Sequence, residues 1–259
     1  MNSAYPPLFD KPLLLGHRGA SASAPENTLE AFRLCRVDGI DGIEFDVQRC
    51  LTGELVITHD FNLQRTTGYD ALVAETAWET IKTLDAGSHF SDSYRNAVIM
   101  QLDMVFEEFG NRMKYDIELK SDSIRDSRLA AGVWESIQRH ELRHNCLVSS
   151  FNPFQVRMFR QFSLDTVPTA VIYSDTPDIP RILRHGWGRH IAGCSVVKPH
   201  YPLLDIARYR PRWLRKYPVV TWTVDERETA ATLLRMGIRG IISNDPGRLA
   251  PVFGEFARL

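Results

Sequence analysis

Glu44 and Asp46 lie two residues apart in Gly42-Ile43-Glu44-Phe45-Asp46-Val47. In an extended strand that spacing puts both carboxylates on one face. His59 follows thirteen residues after Asp46, and Gly16-His17-Arg18-Gly19 precedes the pair. Gathered in one place, these groups suit a metal-assisted attack on a phosphate ester. Carboxylates hold a hard cation, imidazoles move protons near neutral pH, and a guanidinium neutralises charge growing on phosphate oxygens. A bland reading competes while the segment is taken alone: two exposed carboxylates and a surface histidine on a polar hairpin face.

The elements that must bring these residues together can be read from periodicity. Ile43, Phe45 and Val47 alternate with Glu44, Asp46 and Gln48, and Glu54 to Thr58 reads as a second short strand. Thr52-Gly53 between them suits a two-residue turn. Pairing Leu51 with Glu54 predicts Asp46 directly opposite His59, with Glu44 on the same face. Further candidate strands are Leu13–Gly16, Gly42–Val47, Tyr115–Leu119, Cys146–Ser150, Thr169–Tyr173, Gly193–Val197, Val219–Trp222 and Gly240–Ser243. Helical patterns alternate with them at Thr28–Asp38, Leu102–Phe109, Asp126–His140, Pro153–Gln161, Asp178–Arg184 and Glu226–Met236, with Asn27 as the first N-cap and Gly237 as a stop. This order predicts an α/β fold, a (β/α)8 TIM barrel with a β-hairpin and a small insertion after the second strand; an open doubly wound sheet is the alternative. The whole chain, 1–259, reads as one domain. Its long connection, approximately 61–100, is expected either to form a partial lid or to pack a mini-core of its own around Trp78 and Phe90.

In a barrel, the carboxyl ends of the strands converge on one mouth. Strand one ends in His17-Arg18, strand two in Glu44 and Asp46, the next in Glu118 and Lys120, and later ones in Ser149-Ser150, Lys198 and Trp222. Glu44, Asp46 and Glu118 offer only oxygen, so their expected ion is one divalent cation, Mg2+ or Ca2+. Neutralisation by Arg18, Lys120 and Lys198 without a metal is the competing account. His17 and His59 suit general acid–base work, Arg18 and Lys120 suit phosphate, and Trp222 suits an apolar wall for the substrate.

A net charge of −1 with no block of like charge gives no footprint for nucleic acid or an anionic membrane. Hydrophobic content of 44% and charged content of 24% are those of an ordinary soluble domain, with no stretch long enough for stable membrane insertion. The amino-terminal stretch has no secretory pattern, and four well-separated cysteines read as reduced core thiols, so a cytoplasmic location is expected. Nothing in the sequence fixes an oligomeric state.

These residues resemble the glycerophosphodiester phosphodiesterase family, in its cytoplasmic bacterial type. The likeness is carried by Gly16-His17-Arg18-Gly19-Ala20, Pro25-Glu26-Asn27-Thr28, Gly42-Ile43-Glu44-Phe45-Asp46-Val47 and Thr58-His59-Asp60 with Leu63-Gln64-Arg65-Thr66-Thr67. Ile117-Glu118-Leu119-Lys120, Thr221-Trp222-Thr223 and Ser243-Asn244-Asp245-Pro246 continue it. The resemblance implies hydrolysis of small glycerophosphodiesters to sn-glycerol 3-phosphate and an alcohol. It also implies a divalent metal on Glu44, Asp46 and Glu118, with acid–base roles for His17 and His59. Competing readings are a lysophospholipase D or other phospholipase-type enzyme on the same barrel, and a catalytically silent barrel binding phosphorylated metabolites. Cys50, Thr52 and Ser243-Asn244 depart from the family's usual Thr, Asp and Thr-Asp, and are expected to alter turn geometry rather than catalysis.

Overall fold

The computed structural model describes residues 7–177, 179–204 and 212–256. Eight parallel strands make the ring: β1 (Leu13–His17), β2 (Gly42–Arg49), β4 (Lys114–Leu119), β5 (Cys146–Ser150), β6 (Thr169–Tyr173), β7 (Val196–Pro199), β8 (Val220–Thr221) and β9 (Gly240–Ser243). Hydrogen-bonded neighbours run β7-β6-β5-β4-β2-β1-β9-β8, and isolated parallel bridges Val197–Val219 and His200–Trp222 join the two ends. The sheet therefore closes as a TIM barrel rather than staying open.

Helices α1 (Leu29–Val37), α4 (Leu102–Phe109), α5 (Arg128–Arg139), α6 (Pro153–Ser163), α7 (Arg189–Ala192), α8 (Arg227–Arg235) and α9 (Pro246–Phe256) cover the outside. Strand alternation sorts the side chains. Outward Ile43, Phe45, Val47 and Ile117 join Phe32, Phe106, Val133 and Phe159 of the helices in the main core. Inward Leu13, Leu15, Leu147, Val196 and Val220 form a second cluster with Leu8 and Phe9 from the short turn Pro7–Phe9. The inward positions nearer the carboxyl ends are polar: His17, Glu44, Asp46, Glu118, Ser149 and Lys198. One barrel thus has an apolar floor and a charged mouth.

The hairpin differs from expectation by one residue. β3 (Leu55–Ile57) pairs with β2 as Val47–Ile57, Gln48–Val56 and Arg49–Leu55, which puts Asp46 level with Thr58 instead of His59. The cause is a three-residue loop. Cys50 N donates to Glu54 O (3.0 Å), Gly53 N donates to Cys50 O (3.1 Å), and Gly53 takes φ +111°, a value that glycine reaches without a Cβ clash. A slip of this kind would turn a strand residue to the opposite face. His59 escapes because β3 ends at Ile57 and the chain bends at residues 59 and 60. The Gln48 amide fixes that bend, donating to the carbonyls of Thr58 (3.0 Å), His59 (3.2 Å) and Asp60 (2.8 Å).

Two further expectations change. Thr28, not Asn27, caps α1; its hydroxyl accepts from Ala31 N (3.4 Å). Asp178, the first residue of the helix expected to run to Arg184, lies outside the described residues, and 179–183 form no helix; a short 3-10 turn appears at Arg184–Gly186. Pro177 and Pro180 lack the N–H a helix needs and bias their predecessors toward extended backbone. Within 61–100, α2 (Gln64–Thr67) and α3 (Trp78–Ile81) surround a separate apolar cluster of Leu63, Val73, Ile81, Ala86 and Ile99, with Trp78 packed on it. Phe90 stays outside this mini-core, 41% exposed and edge-on to Tyr94.

Candidate active site

Parallel register assembles the site. His17 is level with Glu44, Glu44 with Asp116, and Asp46 with Glu118, so neighbouring strands, about 4.8 Å apart, present these groups side by side. The carboxylate oxygens of Glu44, Asp46 and Glu118 all lie within 4.8 Å of one another, and all three residues are buried. His17, Arg18, Glu44, His59, Glu118, Lys120, Lys198 and Trp222 line one cavity of about 500 Å³ at the mouth. All eight residues expected in the site converge there, Asp46 lying behind the lining and held by Arg18 and Lys120.

Cations surround the acids. Lys120 Nζ is 3.0 Å from Glu118 Oε1 and 3.6 Å from Asp46 Oδ1. Arg18 Nε is 3.4 Å from Asp46 Oδ2, and Lys198 Nζ is 3.5 Å from Glu44 Oε1. Burial opposes the charge on Asp46, but Lys120, Arg18, His59 and Asn27 outweigh it and hold that carboxyl well below the usual range. Glu44 is different. Burial, opposed by Lys198 but reinforced by Asp46, Glu118 and Asp116, pushes its carboxyl up to about 8. Burial first, and the neighbouring acids after it, thus leave a charge on Glu44 that Lys198 does not fully stabilise, and a further cation would relieve it. Donor type, spacing and this uncompensated charge fit a hard divalent ion on Glu44, Asp46 and Glu118.

Arg18 sits at φ +55°, an uncommon conformation for a residue with a side chain. Gly19 N donates to Gly16 O (3.2 Å) and Asn27 N donates to Arg18 O (2.9 Å), holding the turn. The return is positional: Arg18 N donates to Glu44 Oε2 (3.1 Å) while its guanidinium reaches both Glu26 (2.9 Å) and Asp46. Asn27, also left-handed at φ +58°, donates Nδ2 to Asp46 Oδ2 (3.0 Å).

The hydrogen bonds fix both imidazoles. Asn244 Nδ2 donates to Asp225 (2.9 Å), so its Oδ1 must accept from His17 Nδ1–H (2.7 Å), leaving His17 Nε2 bare, 3.9 Å from Glu44. Burial, with Arg18 adding and Asn244 partly opposing, pushes the His17 imidazole down to about 4. It is thus a neutral proton acceptor in the resting site. His59 Nδ1 donates to Asp60 (2.6 Å), Asp60 accepts from Arg65 (2.5 Å), and Arg65 grips Glu26 with two bonds of 2.6 and 3.0 Å. Since Glu26 also accepts from Arg18, a continuous chain links His59 to the acid cluster.

Several of these supports were not singled out from the sequence. Glu26, Asn27, Asp60 and Arg65 lie inside the motifs quoted above, and proximity to His17 and His59 was the available signal. For Asp116 the signal was its place two residues before Glu118; it is fully buried, accepts from Ser149 (2.7 Å) and is ion-paired with Lys198 (2.9 Å) below the mouth. Asn244, expected to affect only turn geometry, touches His17 directly. At the hairpin tip the other two departures close on one acceptor, with Glu54 taking bonds from Thr52 and from Cys50 (3.1 Å).

A barrel mouth that gathers three buried carboxylates able to hold a hard cation beside two imidazoles has the groups that a barrel phosphodiesterase would use. The sequence profile of the Glycerophosphoryl diester phosphodiesterase family matches residues 17–248. A glycerophosphodiester phosphodiesterase of Bacillus altitudinis is 30% identical over 93% of this chain and 98% of its own; one from Caldanaerobacter subterraneus subsp. tengcongensis is 29% identical over 92% and 96%. Among solved structures, an Oleispira antarctica phosphodiesterase in complex with the product sn-glycerol-3-phosphate superposes with TM-score 0.80 at 27% identity, covering 94% of this chain and 97% of that one. The chain belongs to the glycerophosphodiester phosphodiesterase family and is a phosphoric diester hydrolase.

Proposed function

We propose that the enzyme hydrolyses glycerophosphodiesters, the deacylated remains of phospholipids, to sn-glycerol 3-phosphate and an alcohol, with His17 and His59 as its acid–base pair. One observation carries the reading: two imidazoles with fixed tautomers share a cavity with a buried triad of carboxylates. The names of the relatives and the product bound to the Oleispira antarctica enzyme support it.

A divalent ion on Glu44, Asp46 and Glu118, Mg2+ or Ca2+ by donor type, would supply Lewis acidity toward the phosphate oxygens. The protein's own groups supply the rest. The phosphate lies against Arg18 and Lys120, which stabilise the negative charge added as the new P–O bond forms. One imidazole takes, through its bare nitrogen, the proton of the attacking glycerol hydroxyl, whose new P–O bond closes a cyclic phosphate that water then opens to sn-glycerol 3-phosphate. The other gives a proton to the departing oxygen as the old P–O bond breaks. Neutral His17 suits the first role. Trp222, anchored through Nε1–H to Lys198 O (3.1 Å) and edge-on to Phe151, walls the glycerol side. The whole chain acts as one catalytic domain, and its four free buried cysteines agree with a cytoplasmic location. Among the described residues no helix is long and apolar enough to cross a membrane.

The test is a coupled assay for glycerol 3-phosphate release from glycerophosphocholine, glycerophosphoethanolamine and glycerophosphoglycerol, beside lysophospholipids. His17→Ala and His59→Ala should each lower turnover by about 10²–10⁴-fold. Chelation should abolish activity and added Mg2+ or Ca2+ restore it. Near-native turnover in either histidine variant, or full activity in chelator, would contradict the assignment.

A further inference from the structure

The catalytic cavity does not stop at Lys120. Phe61, Lys120, Ser121 and Asp122 line both the mouth and a second cleft of about 350 Å³. The second cleft runs outward between the hairpin and the start of α5, walled by Arg49, Leu51, Asp126, Arg128 and Leu129. A phosphodiester has two arms. With its phosphate at Arg18 and Lys120, one arm meets the Trp222–Phe151 wall and the other points across Lys120 into this cleft. With the glycerol hydroxyl attacking, in-line displacement puts the glycerol arm and the departing oxygen on opposite sides of phosphorus, so two lobes either side of the phosphate suit the two arms.

The charges of the cleft say what the second arm can be. Lys120 is shared between Glu118, Asp46 and the phosphate, and is not left for the second arm. Arg128 and Asp126 satisfy each other through Nε (2.9 Å) and a terminal nitrogen (2.6 Å). Arg49 and Asp122 make no side-chain hydrogen bond or ion pair with any described residue, and they line the same cleft. Arg49 acts on Glu54 and Asp126 only at a distance, so a guanidinium and a carboxylate that are hydrogen-bonded to no described residue stand in one small cleft, and they match a ligand bearing one carboxylate and one ammonium. Among the described residues Phe61 is the single aromatic ring in the lining, and it is 43% exposed, so they offer no cage for a quaternary ammonium.

Resting on the phosphodiesterase reading, we propose that this second cleft is the subsite for the departing alcohol, and that Asp122 and Arg49 select amino-alcohol head groups, best of all a zwitterionic one of the serine type. The experiment compares kcat/KM for glycerophosphoserine, glycerophosphoethanolamine, glycerophosphocholine and glycerophosphoglycerol in the wild type, Asp122→Asn and Arg49→Gln. In Asp122→Asn, the ratios of the serine and ethanolamine esters to the glycerol ester should fall about fivefold. In Arg49→Gln, the serine-to-ethanolamine ratio should fall by a similar factor while the ethanolamine-to-glycerol ratio holds. Release of glycerol 3-phosphate from the esters with all ratios unchanged in both variants overturns the subsite and leaves the phosphodiesterase reading standing. A wild type that splits none of the four overturns both.

Discussion

Lys198 is the most informative single substitution beneath the site. Its Nζ lies 2.9 Å from Asp116 Oδ2, 3.2 Å from Ser149 Oγ and 3.5 Å from Glu44 Oε1, and the side chains of Lys198, Asp116 and Glu44 are 2%, 0% and 2% exposed. Burial alone would lower the ammonium's pKa, but Asp116, Glu44 and Glu118 outweigh it and raise it above the usual lysine range. Lys198→Met keeps the aliphatic stem, so its packing loss stays below ~1.5 kcal/mol. The electrostatic loss is larger. Asp116 is left with the Ser149 hydroxyl alone, and removing one partner of a buried ion pair costs about 3–5 kcal/mol. Urea unfolding of the variant, with midpoints compared at unchanged slope, should show that loss. Asp116→Asn in the same background should recover at least ~2 kcal/mol relative to the sum of the two single changes, because the stranded charge is gone. A Lys198→Met protein within ~1 kcal/mol of wild type, or strict additivity of the pair, would refute the claim that this buried pair supports the mouth.

Arg65→Met should lower kcat about tenfold, with a smaller change in KM, because Asp60 loses the anchor that aims it at His59; Arg65→Lys should recover only part, lacking the two-pronged grip on Glu26. Steady-state kinetics with an unchanged unfolding midpoint separates this from general destabilisation, and a wild-type kcat would contradict it. Asn244→Leu removes the acceptor that fixes the His17 tautomer and should cost about 10–100-fold in kcat, while Asn244→Asp keeps the acceptor and should retain far more activity. Native thiols should be inert to a disulfide reagent at about pH 8: all four cysteines are 5% exposed or less, and burial, aided by Asp38, pushes the Cys35 thiol up to about 12. At Cys35 the raised pKa keeps the thiolate scarce below that pH, and burial shields all four sulfurs, so labelling should stay slow to about pH 9 and become complete only on unfolding. Rapid labelling of folded protein would show that one of them is accessible.

What was legible in the sequence divides along a physical line. Strand periodicity fixes which residues share a face, and barrel closure then makes separation along the chain irrelevant. His17, Glu44, Asp46 and Glu118 could therefore be placed at one mouth, where adjacent strands align them. Turns obey no such periodicity. Thr52-Gly53 looks like a two-residue hairpin loop, but the Cys50–Glu54 pairing adds a residue and shifts the register. Asn27 fits an N-cap by type, but its tolerance of positive φ is used to carry an amide to Asp46. Likewise, spacing puts Asp116 on the face of Glu118, but its meaning comes from Lys198, eighty-two residues on, reached only through the closed ring.

The same division explains why the candidate catalytic groups were easier to single out than their supports. A proton donor or metal ligand must be one of a few residue types, so type and face together single it out. A supporting group need only complete another residue's hydrogen bonds, and Asn, Gln, Asp, Glu, Arg or a backbone carbonyl can each do so. Gln48 shows how much rests on such a choice. It shares a face with Glu44 and Asp46 but offers no catalytic chemistry, yet its amide holds three consecutive carbonyls and so sets where His59 stands after β3 has ended. The hairpin's ladder aligns the acids; a side-chain amide reaching past the end of β3 sets the imidazole beside them.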